Sequence, residues 1–325
     1  MNSEEIELSI VIPVYNEADN IAPLIKKIEA AIEKIRKKCE VIFVDDGSTD
    51  GSSEILQKEC LSRNNFTLIQ FRKNFGQTAA ISAGFDYSKG NVIITLDSDL
   101  QNDPADIPLL LEKIDEGYDV VSGWRKNRKD NPLTRNLPSA IANWIIGIAT
   151  GVKLHDYGCT LKAYKKEIIQ DVSLYGDLHR FIPALAAFEG AKITEIPVNH
   201  HPRQFGKSKY NLSRTWRVLF DLLTVSFLRR YKTRPLHIFG RVGLISFLLG
   251  FLISAYLTLQ KFLYGIELAK RPLLILGVLL ILAGIQLLSL GILAEMQTRT
   301  YFESQKQPIY RIKKIVNSNL NERAD

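Results

Sequence analysis

The stretch Asn91–Pro104, NVIITLDSDLQNDP, decides how the chain is to be read. Its first half is a short, continuous apolar run, as expected for a strand covered on both faces. Its second half sets three carboxylates, Asp97, Asp99 and Asp103, at the strand tip. A polar turn alone is the plain account of such residues. Asp97 and Asp99 lie two apart, however, so on extended backbone both carboxylates face one point, and the Gln101 amide follows two residues later. Hard oxygen donors in that arrangement suit Mg²⁺ or Mn²⁺ shared with the phosphates of a substrate. Asp103 precedes Pro104, the pattern of a helix N-cap followed by a first-turn proline.

Outward from this stretch, strand and helix alternate. LSIVIPVY (Leu8–Tyr15), EVIFVDDGS (Glu40–Ser48), FTLIQF (Phe66–Phe71) and YDVVSGW (Tyr118–Trp124) read as further strands. Between the first two, Ile21, Leu24, Ile25, Ile28, Ile32 and Ile35 recur at helical spacing. Helices are also expected from about Ser52, over Gln77–Ser88, from Pro104 and over Ser139–Thr150. This alternation predicts a mainly parallel α/β sheet with helices on both faces. In such sheets ligands gather at the carboxyl ends of the strands. Asp45 and Asp46, Arg72 and Lys73, and Asp97 and Asp99 all fall there. The turns PVYNE (Pro13–Glu17) and DDGSTDG (Asp45–Gly51) hold ordinary turn formers, yet together they offer acceptors for a base and ribose. Neither a GxGxxG turn nor a GxxxxGKS loop is present, which argues against a dinucleotide enzyme or a P-loop NTPase.

The second half changes character. Val242–Leu259 and Pro272–Ala294 are runs of 18 and 23 residues without a charge. At about 1.5 Å per residue both can cross a hydrocarbon core of about 30 Å. Two buried helices of a soluble domain are the alternative. Before them, Asn211–Tyr231 carries Leu212, Trp216, Leu219, Leu223 and Phe227 in one stripe, with basic residues near both ends. Such a helix tends to lie in a membrane interface, or else packs on the soluble domain. Arg203–Arg241 holds ten Lys and Arg and one acid, Asp221, which beside a span points to anionic lipid rather than nucleic acid. Lys and Arg outside the spans outnumber those of the short connection (Lys261, Lys270, Arg271), so both termini and the large domain are expected in the cytoplasm. The expected organisation is a cytosolic domain over 1–210, an interfacial helix over 211–234, spans near 236–262 and 272–296 within 235–298, and a basic cytosolic tail over 299–325. MNSEEIELSI is acidic and runs into a strand, so no signal peptide is expected there. Cys39, Cys60 and Cys159 have no CxxC or nearby His partner and read as reduced thiols. Adjacent His200 and His201 would point to opposite strand faces, which disfavours a metal pair, whereas His155 and His179 could line the cleft or make ordinary polar contacts.

SIVIPVYNE, VIFVDDGSTDGS, RKNFGQTAAISAGFDYSKG and VIITLDSDLQNDP, in that order, resemble glycosyltransferase family 2, inverting enzymes of the GT-A fold. GWRKNR, DYGCTLKAY and RQFGKSKY, followed by two spans, resemble its polyprenyl-phosphate branch, which includes dolichyl-phosphate mannose synthases and bactoprenol glucosyltransferases. The two-span ending with a short basic tail is most similar to the latter. The resemblance implies a bacterial inner-membrane enzyme that passes a sugar, glucose from UDP-glucose above others, to a polyprenyl phosphate such as undecaprenyl phosphate. It implies nucleotide-sugar contacts at Pro13, Tyr15, Glu17, Asp45, Asp97 and Asp99, with Arg203 and Lys207 closing over the diphosphate. Asp97, Asp99 and Gln101 would hold the metal. Arg125, Arg135 and Ser139 would meet the acceptor phosphate, although the spacing departs from the shorter synthases at Arg135. Asp156 stands where many relatives carry a general base. A lipid phosphate is already ionised at neutral pH, so Asp156 has two readings: a base, or a group that orients Arg125 or a sugar hydroxyl.

Two competing classes are weighed. A processive polysaccharide synthase would carry more spans and a Q-x-x-R-W motif, where this chain has RTWR at Arg214–Arg217. A non-catalytic nucleotide-sugar-binding membrane protein would have lost strand-end acids, and none is missing. Gly243, Gly250, Gly277, Gly284 and Gly291 permit close helix packing, within the chain or in a homo-oligomer.

Overall fold

The computed structural model describes residues 6–126, 137–170, 172, 174, 178–202, 236–265, 272–304, 308–317 and 320–323. Arg135, Arg203, Lys207 and the 211–234 stretch lie outside the described residues. The chain divides into two units: residues 1–225 together with 308–325, and residues 226–307.

The first unit is built on a nine-stranded sheet in the order β7-β5-β6-β4-β1-β2-β3-β8-β9. Its centre is β1 (Leu8–Val14), β2 (Cys39–Asp45), β3 (Phe66–Phe71) and β4 (Val92–Thr95), all parallel. β6 (Lys162–Lys165) runs antiparallel between β4 and β5 (Val120–Trp124), and β7 (Ile193–Pro197) closes that edge parallel to β5. The β1 side chains alternate between two cores. Ile10, Ile12 and Val14 pack with α1 (Ala18–Ile32), α2 (Ser52–Leu61) and α4 (Ile107–Asp115). On the other face, Val11 packs with α3 (Gln77–Tyr87), α6 (Lys166–Gln170) and α7 (Ile182–Phe188). Strands buried on both sides therefore need no polar alternation, which is why they read as continuous apolar runs. α3 lies so close to β1 that a Cβ on Gly84 would sit 2.1 Å from Val11 Cγ1. α5 (Leu137–Thr150) follows β5 and buries Ile146 against Tyr157, Leu178 and Phe181.

The second unit is a pair of helices, α8 (Leu236–Tyr264) and α9 (Pro272–Ser304). Their apolar windows, Phe239–Tyr264 and Pro272–Ala294, are only 17% and 11% buried. Core helices of a soluble domain would be mostly buried, so the exposed apolar surface favours spans over that alternative. Small residues bring the helices together. A Cβ on Gly250 would lie 2.5 Å from the Gly277 carbonyl oxygen, and one on Gly284 would lie 2.7 Å from that of Gly243. Ser246 Oγ adds a hydrogen bond to the Leu280 carbonyl at 2.9 Å.

After α9 the chain returns to the first unit. The basic tail expected over 299–325 is in fact structured in part: α9 continues to Ser304, and β8 (Ile312–Asn317) and β9 (Leu320–Arg323) extend the sheet. β8 pairs antiparallel with β3. Tyr310 stacks on Phe71 with centroids 5.2 Å apart and donates to Asp86 at 2.7 Å, while Asn317 Nδ2 donates to Thr67 Oγ1 at 2.7 Å. A tail paired to β3 requires the segments before and after the helix pair to share one side of any bilayer the pair crosses.

Candidate active site

The carboxyl ends of β1, β2 and β4 carry three loops that hold one another. After β1, Asn16 takes a left-handed conformation (φ 56°). Its backbone N–H donates to Ser48 Oγ at 2.9 Å and its side-chain oxygen accepts from the Thr49 N–H at 2.8 Å. The Glu17 N–H donates to Ser52 Oγ at 3.0 Å. The turns PVYNE and DDGSTDG are thus one interlocked unit. Tyr15 stays exposed on it, while Pro13 and Glu17 are half-buried. Asp45 is fully buried, accepting from the Ser48 N–H at 3.0 Å and from the Ser53 hydroxyl. Asp46 accepts from the Phe75 and Gly76 N–H groups at 2.6 and 2.9 Å and so fixes the start of α3.

That start of α3 supplies Gln77, whose Nε2 donates to Asp97 Oδ1 at 2.8 Å. The Thr160 side chain lies beside Asp97 and favours its charged form, and Asn102 Nδ2 donates to Thr160 Oγ1 at 2.9 Å. Asp99 is buried and accepts from the Gln101 N–H at 3.1 Å. Between them, buried Leu100 adopts φ 60°, a strained conformation for a γ-branched residue, at the point where the chain turns from strand to helix. Burial, and then the Asp99 charge, push the Asp97 carboxyl above the ordinary range, against the lowering pull of Thr160, Arg125 and Lys162. Two neighbouring carboxylates that disfavour each other's charge are relieved by a bound cation. Among the described residues no group of three or more His, Cys, Asp or Glu side chains could hold a metal. A two-carboxylate donor set fits Mg²⁺ or Mn²⁺, which usually complete their octahedron with water and substrate phosphate. Gln101 lies beside the pair, half-buried.

Beyond β5, Arg125 meets Asp156 in a two-pronged ion pair: Nε to Oδ2 at 2.6 Å and Nη2 to Oδ1 at 2.9 Å. The side chains are 12% and 5% exposed. The Gly158 N–H adds a third bond to Asp156 Oδ1 at 3.1 Å. Gly158 is also what lets the pair close, since a Cβ there would stand 3.2 Å from Arg125 Nη2. Ser139 lies on α5. Asp103 accepts from the Ala105 N–H, capping the turn Pro104–Asp106 that leads into α4, and His201 Nε2 lies 2.9 Å from its other oxygen. His179 is buried with Nδ1 2.8 Å from Thr78 Oγ1, and His155 stacks on Trp124 with its Nδ1 paired to Glu195.

Sequence reasoning did not find Gln77, Thr160 or Lys162. Only Lys162 left a trace: a cation between the apolar residues Leu161 and Ala163. It is buried, and its Nζ donates to the carbonyls of Tyr157, at 3.3 Å, and Cys159.

A mainly parallel sheet with an aspartate pair at a central strand tip, and without a glycine-rich phosphate loop, is the arrangement of a GT-A glycosyltransferase domain. Residues 9–173 match the family described as "Glycosyl transferase family 2". The chain belongs to that family, as the strand-end motifs imply. It is similar to the dodecaprenyl-phosphate galacturonate synthase of Rhizobium johnstonii (strain DSM 114642 / LMG 32736 / 3841), 45% identical over 317 residues covering 96% of this chain and 94% of the relative. It is also similar to the undecaprenyl-phosphate 4-deoxy-4-formamido-L-arabinose transferase of Pseudomonas syringae pv. syringae (strain B728a), 38% identical, with 96% and 91% covered. Neither name mentions glucose. Among solved structures, glucosyl-3-phosphoglycerate synthase from Mycobacterium tuberculosis in complex with Mn²⁺ and UDP-glucose superposes with a TM-score of 0.53 at 15% identity, over 69% of this chain and 78% of that one. That likeness is one of fold.

Proposed function

We propose that this glycosyltransferase moves a sugar from a nucleotide diphosphate donor to a polyprenyl phosphate at a membrane surface, with inversion at the anomeric carbon. The observation that carries the proposal is the placement of the Asp97–Asp99 pair and the Arg125–Asp156 pair at one sheet edge, in a chain that continues into two apolar helices. The interlocked turns bearing Pro13, Tyr15, Glu17 and Asp45 receive the nucleotide, with buried Asp45 shaping its turn from within. Asp97 and Asp99, with Gln101 alongside, would hold Mg²⁺ or Mn²⁺, which supplies charge neutralisation for the leaving diphosphate. Arg203 and Lys207 close over that diphosphate. Arg125, with Arg135 and Ser139, binds the acceptor phosphate, whose oxygen attacks in line.

Asp156 serves this reaction by orienting Arg125. Both its oxygens are committed to the guanidinium, and an ionised phosphate needs no base. α5 adds a membrane-facing surface: Leu137–Thr150 contains no charged residue, and Trp144, 67% exposed, stands out beside exposed Ile145 and Ile148. An amphipathic Trp on an apolar helix suits the lipid–water boundary. The basic flanks of the helix pair favour a cytoplasmic catalytic unit in a bacterial inner membrane. For the sugar, we favour a hexuronate or a modified pentose over glucose, because the full-length relatives at 45% and 38% identity are named for such sugars.

The test is transfer by the purified protein in detergent to undecaprenyl phosphate, with UDP-galacturonate, UDP-4-formamido-arabinose and UDP-glucose compared, with Mn²⁺ or Mg²⁺ and then EDTA. Metal-dependent lipid-linked product from one of the first two donors is expected. Product from UDP-glucose alone would restore the glucosyl reading, and no lipid-linked product from any donor would overturn the proposal.

A further inference from the structure

Lys162 sits where an apolar residue would be expected. Its strand neighbours Leu161 and Ala163 are wholly buried, and it is itself buried in β6, paired across the sheet with Thr95 on β4 and Ser122 on β5. Thr95 lies two residues before Asp97, and Ser122 three before Arg125. A buried ammonium costs several kcal/mol unless hydrogen bonds and opposite charge compensate it. Here the Tyr157 and Cys159 carbonyls accept its hydrogen bonds, and Asp156 and Asp97 attract its charge against burial and the nearby Arg125, which disfavour it.

Those two carbonyls belong to the loop 156–160, which joins both halves of the candidate site. At its beginning Asp156 grips Arg125. At its end the Thr160 carbonyl accepts from Thr95 Oγ1 at 2.6 Å, two residues before Asp97, and the Thr160 side chain lies beside Asp97. Lys162 therefore pins the middle of a loop whose two ends set the metal-side carboxylate and the acceptor-side guanidinium.

We propose that Lys162 is a positioning residue for sugar transfer, a buried cationic staple that holds loop 156–160 and so fixes Asp97 and Arg125 together. The proposal rests on the transfer reaction stated above. It predicts a joint defect in both halves of the site, because removing the ammonium leaves the Tyr157 and Cys159 carbonyls without their donor and releases the loop between them.

The experiment compares full-length parent, Lys162→Met, Asp156→Asn and Thr160→Val in detergent. Three quantities are read: the melting temperature, the affinity for Mn²⁺ with UDP (which needs no acceptor), and kcat and KM for polyprenyl phosphate. Thr160→Val should weaken mainly Mn²⁺–UDP binding, and Asp156→Asn should raise mainly the acceptor KM. Lys162→Met should lower the melting temperature while the protein stays folded at assay temperature, and should weaken both, with kcat/KM down about 100-fold, the usual scale for groups displaced by about 1 Å. If Lys162→Met does not fold, Lys162→Gln, whose amide is uncharged and one bond shorter than the ammonium stem, is judged by the same readouts. Changes under twofold in both quantities, or a change confined to one of them, would overturn the staple. A parent that transfers no sugar to any polyprenyl phosphate would instead refute the proposed reaction, and Mn²⁺–UDP affinity would then decide for or against the staple by itself.

Discussion

Arg125 and Asp156 are joined by two near-parallel hydrogen bonds of 2.6 and 2.9 Å, so the guanidinium is aimed before any substrate arrives. A planar fork held this way presents its remaining donors in a fixed direction, which an isolated arginine does not. Asp156→Ala removes the two-pronged partner of that nearly buried charge. We expect a stability loss of about 3 kcal/mol and an acceptor KM raised at least about tenfold, with donor affinity changed far less. Thermal unfolding and separate titration of the two substrates check this. An equal loss for both substrates would count against the assignment.

Asp97 faces the opposite demand, since burial and then the Asp99 charge raise the cost of charging it. Asp99→Ala should lower kcat by at least about 100-fold, the scale of losing an electrostatic stabiliser of developing charge. Bound Mn²⁺, followed by its paramagnetic resonance in the presence of UDP, should fall with it. Full activity with metal still bound would remove Asp99 from the mechanism.

The close approach of α8 and α9 depends on glycine. Gly250→Leu would drive a side chain into the Gly277 carbonyl and Ile281. Overpacking of this kind costs about 1–3 kcal/mol and should lower the melting temperature of the full chain in detergent. Leu249→Ala, at an exposed position, serves as the control and should shift stability by less than about 0.5 kcal/mol.

Tyr310 locks the returning tail onto β3. Tyr310→Phe keeps the stack on Phe71 but loses the bond to Asp86, at a cost of about 1 kcal/mol. Tyr310→Ala loses the ring as well, at about 3–5 kcal/mol. Urea unfolding of the first unit's signal distinguishes the two.

The same contact gives a pH dependence of known sign. Burial raises the Asp86 carboxyl above its ordinary range, and the Tyr310 hydroxyl only partly lowers it. The folded state therefore holds this proton more tightly than the unfolded chain. Its contribution is fully present below the unfolded value and declines as pH rises through the raised one. Asp86→Asn keeps an acceptor for Tyr310 and has no proton to lose. Its stability relative to the parent should rise as pH rises above about 4, by a small amount because Asp86 is exposed to solvent on its outer side. Parallel melting curves across that range are the check, and a fall in the difference would contradict it.

The sequence by itself determined the doubly covered sheet, the acids at its carboxyl edge and the two apolar helices. Each rests on information that is local in the chain. A strand buried on both faces has to be apolar throughout, as in Ile10–Val14 and Val92–Thr95, and a helix that meets lipid has to be apolar all round. The DxD spacing and the surrounding motifs are likewise contiguous. Tertiary structure alone decided which distant groups meet. Gln77 reaches Asp97 across 20 residues because Asp46 anchors the start of α3, and Arg125 reaches Asp156 across 31 because β5 and β6 lie side by side. The fate of the tail was equally hidden. IKKIVN is a short stretch, one third charged, with little to mark it, and it becomes a strand because the exposed edge of β3 offers backbone partners and Phe71 offers a ring for Tyr310. Lys162 belongs to the same class. In the sequence it is one of two lysines in a short strand; only the carbonyls that converge on it give it a role, and those are brought together by the folded loop.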